Sequence, residues 1–212
     1  MIDDRCSTIH GPRTTSIQDN IADPETTVYS SELRCQGMVS PMIEKIPTSM
    51  ERLQHDMRAD PKIGDDLFFF PEYNDVEGFS GTGNIWFVGL KRSRRSFPDT
   101  GDTLLYETLS ELGLANAHLT HISKERGLVT AQGIEHTEIQ RMRPYFRQEL
   151  DLCDPSVIIG FDQNVYHALK YMAATDDVAI RFLNQSGWLD GRNPDQLRAN
   201  IQSIIEDADK SD

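Results

Sequence analysis

The chain is 212 residues long and carries 34 acidic against 21 basic side chains, a formal net charge of −13. That length suits one domain, or one domain with an appendage, and the charge argues against a general polyanion binder, whose affinity rests on cations set against phosphates. No run approaches the roughly 18 apolar residues of a membrane helix, and the opening "MIDDRCSTIHG" has no apolar run behind it, so the expectation is a cytoplasmic protein without a secretory signal.

In chain order, residues 1–35 are rich in Ser, Thr, Asp and Pro and lack periodicity. They read as an N-terminal extension, partly disordered or loosely packed. Residues 36–212 read as the folded domain. "PMIEKIPTSMERLQHDM" carries a helix that starts near Thr48-Ser49, with Glu51 placed as in a capping sequence. A turn-rich passage follows, holding Phe68-Phe69-Phe70, which reads as core. Strand Ile85–Val88 then runs into a glycine and a loop. A helix is predicted from Asp102 to Leu112, with Leu104, Leu105, Leu109 and Leu112 at helical spacing and Gly113 at its end. A short strand, "AHLTHIS", precedes a helix over "EHTEIQRMRPYFRQELDLC", expected to be interrupted at Pro144. Strand "SVIIGF", helix "QNVYHALKYMA", strand "DVAIRFLN" and a final helix from Pro194 complete the series.

Strand and helix alternating at this rhythm predict an α/β fold, a three-layer sandwich with a central, mostly parallel sheet of about four strands flanked by helices. Such sheets bind ligands at the carboxyl ends of their strands. One of those ends carries Lys91, Arg92, Arg94 and Arg95, an unusual concentration of cations in so acidic a chain. The alternatives for these four are a phosphate clamp and a solvated basic loop.

Cys6, Cys35 and Cys153 are widely separated and include no C-x-x-C pair, so this chain alone does not build a four-cysteine zinc or iron–sulfur site. Neither a metal nor an organic cofactor is expected.

Several stretches, taken in order, resemble the uracil-DNA glycosylase superfamily, nearest to its bacterial and archaeal branches related to the thermophile enzymes. A strand ending in Val88-Gly89 leads to a loop in which Phe97 falls at the position of the family's base-stacking Phe. Leu104-Leu105 fall at its double Leu. "YETLSELGLANAHLTHISK" is similar to the family's helix, "LGL" and following strand. "PYFRQELDLCDPSVIIGFDQ" is similar to its next helix and strand, and "FLNQSGWLDGRN" lies where the family has a strand and then H-P-S. The likeness spans about residues 84–207 and has clear departures. Gly89-Leu90-Lys91-Arg92-Ser93 stands in place of G-E-A-P-G, His121 in place of the uracil-reading Asn, and Asn184-Gln185-Ser186 in place of H-P-S. The family's iron–sulfur cysteines have no counterpart here.

The resemblance implies a DNA glycosylase that hydrolyses the N-glycosidic bond of a flipped, damaged or modified base rather than uracil. A modified base of phage DNA, in antiviral defence, would suit the polar replacements. The implied partner is double- or single-stranded DNA with an extruded base, bound by a monomer.

Gly89, Leu90, Phe97, His121, Asn184, Gln185 and Ser186 would form the base pocket. Lys91, Arg92, Arg94, Arg95, Trp188 and Arg192 would contact DNA, with Trp188 either a wedge in the stack or a surface-covering residue. With leucine where the family has its acid, Asp99, or failing it Asp102, would hold water beneath the sugar. Asp102 equally suits the N-cap of its helix. His121 would serve the base edge or the leaving group. The alternative reading is a member that has lost catalysis and only binds DNA or a nucleotide. A small-molecule hydrolase is a third reading, with no Ser/His/Asp order to support it.

Overall fold

Ile85–Lys91 forms the first strand, β1, and its five central residues are buried. A strand apolar on both faces needs cover on both, and the rest of the chain supplies it. The computed structural model describes residues 49–128, 133–173, 178–183 and 193–209. All of these belong to one compact unit spanning residues 44–212.

Three further strands pair in parallel: β2 (His118–Ser123), β3 (Val157–Gly160) and β4 (Ala179–Phe182), in the order β2-β1-β3-β4. Five helices cover the sheet: α1 (Ser49–Ala59), α2 (Thr100–Glu111), α3 (His136–Cys153), α4 (Gln163–Met172) and α5 (Pro194–Asp209). The chain steps from β1 outward to β2, then returns past β1 to β3 and on to β4. Right-handed crossovers therefore place α2 on one face and α3 and α4 on the other. The helix contacts agree, since α3 touches α1 and α4 while α2 touches α5. The result is the expected three-layer sandwich. Trp86, Phe87, Val88, Leu119, Ile122, Ile158 and Ile159 fill its centre without solvent exposure.

Three boundaries differ from expectation, each for a local reason. β1 runs past Val88 to Lys91 because Gly89 pairs with His121 and Lys91 with Ser123 on β2. α2 begins at Thr100 rather than Asp102 because Asp99, not Asp102, is its N-cap. α3 is not interrupted at Pro144 but continues through it. The proline is solvent-exposed, its ring suits helical φ, and one lost backbone hydrogen bond is outweighed by Met142, Phe146 and Leu150 packing the same helix into the core.

One ionic cluster lies inside the core. The Glu149 carboxylate on α3 accepts from Thr120 Oγ1 at 2.8 Å, lies 3.3 Å from His118 Nε2, and pairs with Lys124 Nζ at 2.5 Å. Burial opposes the charge on Glu149, yet Lys124 and His118 hold its carboxyl below the usual range. A buried charge persists only with such partners, so the cluster fixes α3 against β2. No helix among the described residues is long and apolar enough to cross a membrane.

Candidate functional site

The connections of β1 and β3 leave in opposite directions, one toward β2 and the other toward β4. Between adjacent strands of this kind the two loops part and leave a crevice at the carboxyl edge. A cavity of about 690 Å³ lies there, bounded by the loop after β1, the first turn of α2, His121 of β2 and the start of α4.

Gly89 lines it, packed between the rings of His121 and Phe161. Across the sheet Gly89 is level with His121, and Val88 with Gly160, so Phe161 follows on the other side. A Cβ at position 89 would lie 2.6 Å from His121 Cδ2 and 3.4 Å from Phe161 Cδ2. Only glycine lets the His121 ring pack this closely against the strand. The His121 ring stacks on Phe70, with centroids 4.6 Å apart and planes 10° from parallel, and meets Phe68 edge-on at 5.8 Å. The residue is only 6% exposed. Burial first, then the charges of Lys124 and Arg92, push its pKa from 6.5 down to about 3. It is therefore neutral at pH 7, with one ring nitrogen a donor and the other an acceptor. Its backbone oxygen accepts from Lys124 Nζ, but no hydrogen bond reaches its ring nitrogens among the described residues.

The wall from the loop after β1 is held by one guanidinium. Arg92 Nη1 donates to Asp102 Oδ1 at 2.6 Å and Nη2 to Asp102 Oδ2 at 2.5 Å, while Nη2 also reaches Ser96 O at 3.0 Å. Burial raises the Asp102 carboxyl, and the Arg92 fork pulls it back. Asp99 and Asp102 close a reciprocal capping box. Asp99 Oδ1 accepts from the backbone N–H groups of Gly101 and Asp102, and Asp102 Oδ2 accepts from that of Asp99. Asp99 Oδ2 lies 3.3 Å from Arg92 Nη2.

On the opposite wall Asp162 caps α4, its Oδ1 accepting from Val165 N at 2.8 Å. Both helix N-termini at the cavity, where the backbone favours negative charge, are thus occupied by aspartates of the chain itself.

These positions revise several sequence-based expectations. Lys91 and Arg92 are not open to phosphate. Lys91 Nζ binds Glu138 Oε1 at 2.7 Å, and Ser123 Oγ donates to the same oxygen, while Arg92 is spent on Asp102. Arg94, exposed and 3.4 Å from the exposed Asp66, and the exposed Arg95 remain at the rim. Phe97 is not among the residues lining the cavity. It packs with Phe68, Tyr73 and Tyr106 at centroid distances of 5.7 to 5.8 Å, beneath the loop that Arg92 organises. The aromatic rings at the cavity are Phe70 and Phe161.

Gly89, Leu90, Asp99, Asp102 and His121 do come together there. Leu90 also borders a neighbouring cleft of about 300 Å³ between α3 and α4. Asn184, Gln185, Ser186, Trp188 and Arg192 lie outside the described residues, as do Cys6 and Cys35. No group of metal-ligating side chains is present among the described residues.

Phe70, Phe161 and Asp162 were missed from the sequence. The signal for Asp162 was legible: an aspartate between the end of "SVIIGF" and the start of a helix, the same pattern that marks Asp99.

No family model matches the chain, and no curated protein matches it.

Proposed function

We propose that this chain is a DNA glycosylase that takes an extruded, modified base into the cavity at the carboxyl edge of the sheet and hydrolyses its N-glycosidic bond. The observation that carries the reading is the cavity itself. It opens at the carboxyl edge of the sheet, with a volume of about 690 Å³, and is lined by the rings of Phe70, His121 and Phe161 and by carboxylates on two sides. A neutral imidazole without partners on its ring nitrogens can donate to a base oxygen or accept from an exocyclic amine, which is how an enzyme reads a flipped base.

The chemistry asks for negative charge near the sugar, where positive charge develops as the bond breaks, and for a held water. The aspartates supply the charge. Water attacks the anomeric carbon, a carboxylate takes its proton, and the bonding pair leaves with the base nitrogen, which regains a proton. Arg94 and Arg95 at the rim suit flanking phosphates. The absence of glutamate at Leu90 and of asparagine at His121 favours a base other than uracil, and a modified base of phage DNA in antiviral defence fits those replacements.

The test is single-turnover incubation with oligonucleotides that each carry one modified base, in single and double strands, followed by alkaline cleavage. Strand scission at one modified position supports the reading. A binding-only protein is favoured by one fact, that Arg92 engages both oxygens of Asp102. That reading predicts retention of these oligonucleotides with no abasic product.

A further inference from the structure

Three aspartates line the cavity, and they differ in what their oxygens already do. Asp102 has both oxygens in the Arg92 fork, and Oδ2 also accepts from Asp99 N. Asp99 has Oδ1 on two backbone amides and Oδ2 beside Arg92 Nη2 at 3.3 Å. Asp162 caps α4 through Oδ1, on one amide. An oxygen that must receive a proton from water needs a lone pair directed at that water, and the capping geometry of Asp162 leaves Oδ2 for it.

The placement of the cavity agrees. His121, Gly89 and Phe161 lie in a row across β2, β1 and the end of β3, and all three line it. His121 is 94% buried by its 6% exposure, its Nε2 would lie 3.0 Å from a Cβ at Gly89, and its ring nitrogens lack hydrogen bonds among the described residues. That end of the row calls for a hydrogen-bonding ligand edge. The opposite end, at Phe161, is followed directly by Asp162. A base in the cavity with its edge at His121 therefore lies between that ring and Asp162, both of which line the cavity.

We propose that Asp162 is the catalytic carboxylate of this site, its Oδ2 holding the attacking water and accepting its proton. This rests on the glycosylase reading and changes the residue to which the chemistry is given, from the loop after β1 to the cap of α4. The balance is that of hydrolysis. The water oxygen bonds to the anomeric carbon and its proton passes to Oδ2. The carbon–nitrogen bond breaks with its pair on the base, and the proton returns through solvent to the departing base. Water is the only co-reactant.

Asp162→Asn tests this without removing the cap, because asparagine caps helices as well as aspartate does. Two readouts are taken with the full chain. The first is single-turnover excision on whichever modified oligonucleotide responds. The second is affinity for an oligonucleotide bearing a cationic pyrrolidine azasugar, relative to one bearing neutral tetrahydrofuran at the same position.

Asp162→Asn is expected to lower excision by a thousandfold or more and to abolish a tenfold or larger preference for the cation, with Tm and tetrahydrofuran affinity unchanged. Asp99→Asn, which also keeps its cap, is expected to lose less than tenfold in excision. Wild-type excision and cation preference in Asp162→Asn, with both lost in Asp99→Asn, would overturn the assignment while leaving the glycosylase reading intact. A wild-type chain that excises no base and shows no cation preference would overturn both.

Discussion

Arg92 and Asp102 face each other as a closed fork, two hydrogen bonds of 2.6 and 2.5 Å between side chains that are 9% and 6% exposed. The pair ties the end of β1 to the first turn of α2 and so fixes one wall of the cavity. Removing one partner strands a buried charge, which costs about 3–5 kcal/mol. Asp102→Ala is expected to lose stability in that range by urea denaturation. Arg92→Lys is expected to lose much of the same stability, since an ammonium cannot make the fork. A change of less than about 1 kcal/mol in both variants would show that the fork does not hold the loop.

His121 makes stability depend on pH. Its pKa in the fold is about 3, against 6.5 for a free histidine, so the unfolded chain binds a proton that the fold excludes. Its contribution is complete above about pH 6.5 and is lost as pH falls toward 3, with a limiting slope of about 1.4 kcal/mol per unit. The groups around it set this window: Lys124 and Arg92 repel the proton, and Phe68 and Phe70 shut out water. Urea midpoints between pH 4 and 8 are expected to fall less steeply with acid in His121→Gln than in the wild type. Parallel curves would mean that the ring takes up its proton as readily in the fold as in the unfolded chain.

Gly89 is the position at which one methyl group would displace the His121 ring from its place in the cavity wall. A Cβ there meets His121 Cδ2 at 2.6 Å, and the imidazole cannot withdraw without leaving its stack on Phe70. Gly89→Ala is expected to cost about 1–3 kcal/mol through overpacking and to weaken binding of an oligonucleotide with an extruded base at least tenfold. Duplex without an extruded base should bind unchanged, and equal losses for both would place the effect outside the cavity.

The four cations after β1 divide by partner. Replacing Arg94 and Arg95 with Gln is expected to reduce the slope of log affinity against log salt by about 2 for duplex DNA, with an unchanged urea midpoint. Lys91→Gln is expected to leave that slope alone and to lower stability through Glu138. The opposite pattern would show that Lys91 leaves its pair to meet phosphate.

The sheet was legible because its signal is local. "IWFV" and "SVIIGF" are continuous apolar runs, which only strands buried on both faces tolerate, and the alternation with helices fixed their direction. The meeting of Gly89 with His121 was anticipated from the rule that both end strands at one edge. The fate of the cations was not legible. Arg92 finds its carboxylate ten residues away and Lys91 finds Glu138 forty-seven residues away, and a run of positive charge looks the same whether its partners are solvent, phosphate or the protein itself. Phe97 and Phe70 were interchanged for a related reason. Both follow turn-rich loops, and only the return of residues 68–70 against β2, through the Phe68 N–H to Lys124 O bond of 2.8 Å, decides which ring reaches the cavity.

The strand order has a consequence for how the chain acquires its structure. No two neighbouring strands are joined by a tight turn: Trp86 must find His118 across α2, and Ile85 must find Val157 across both α2 and α3. Such closures set folding rates through loop entropy and slow them relative to hairpin-built sheets. During synthesis β1 is made early, yet one of its edges has no partner until residue 157 has emerged. In that interval a flat apolar strand is open to other chains, the circumstance in which parallel sheets aggregate. A nascent chain halted between β2 and β3 is therefore expected to be held by chaperones or lost to self-association. One released after β4 commits all four strands in a single cooperative step.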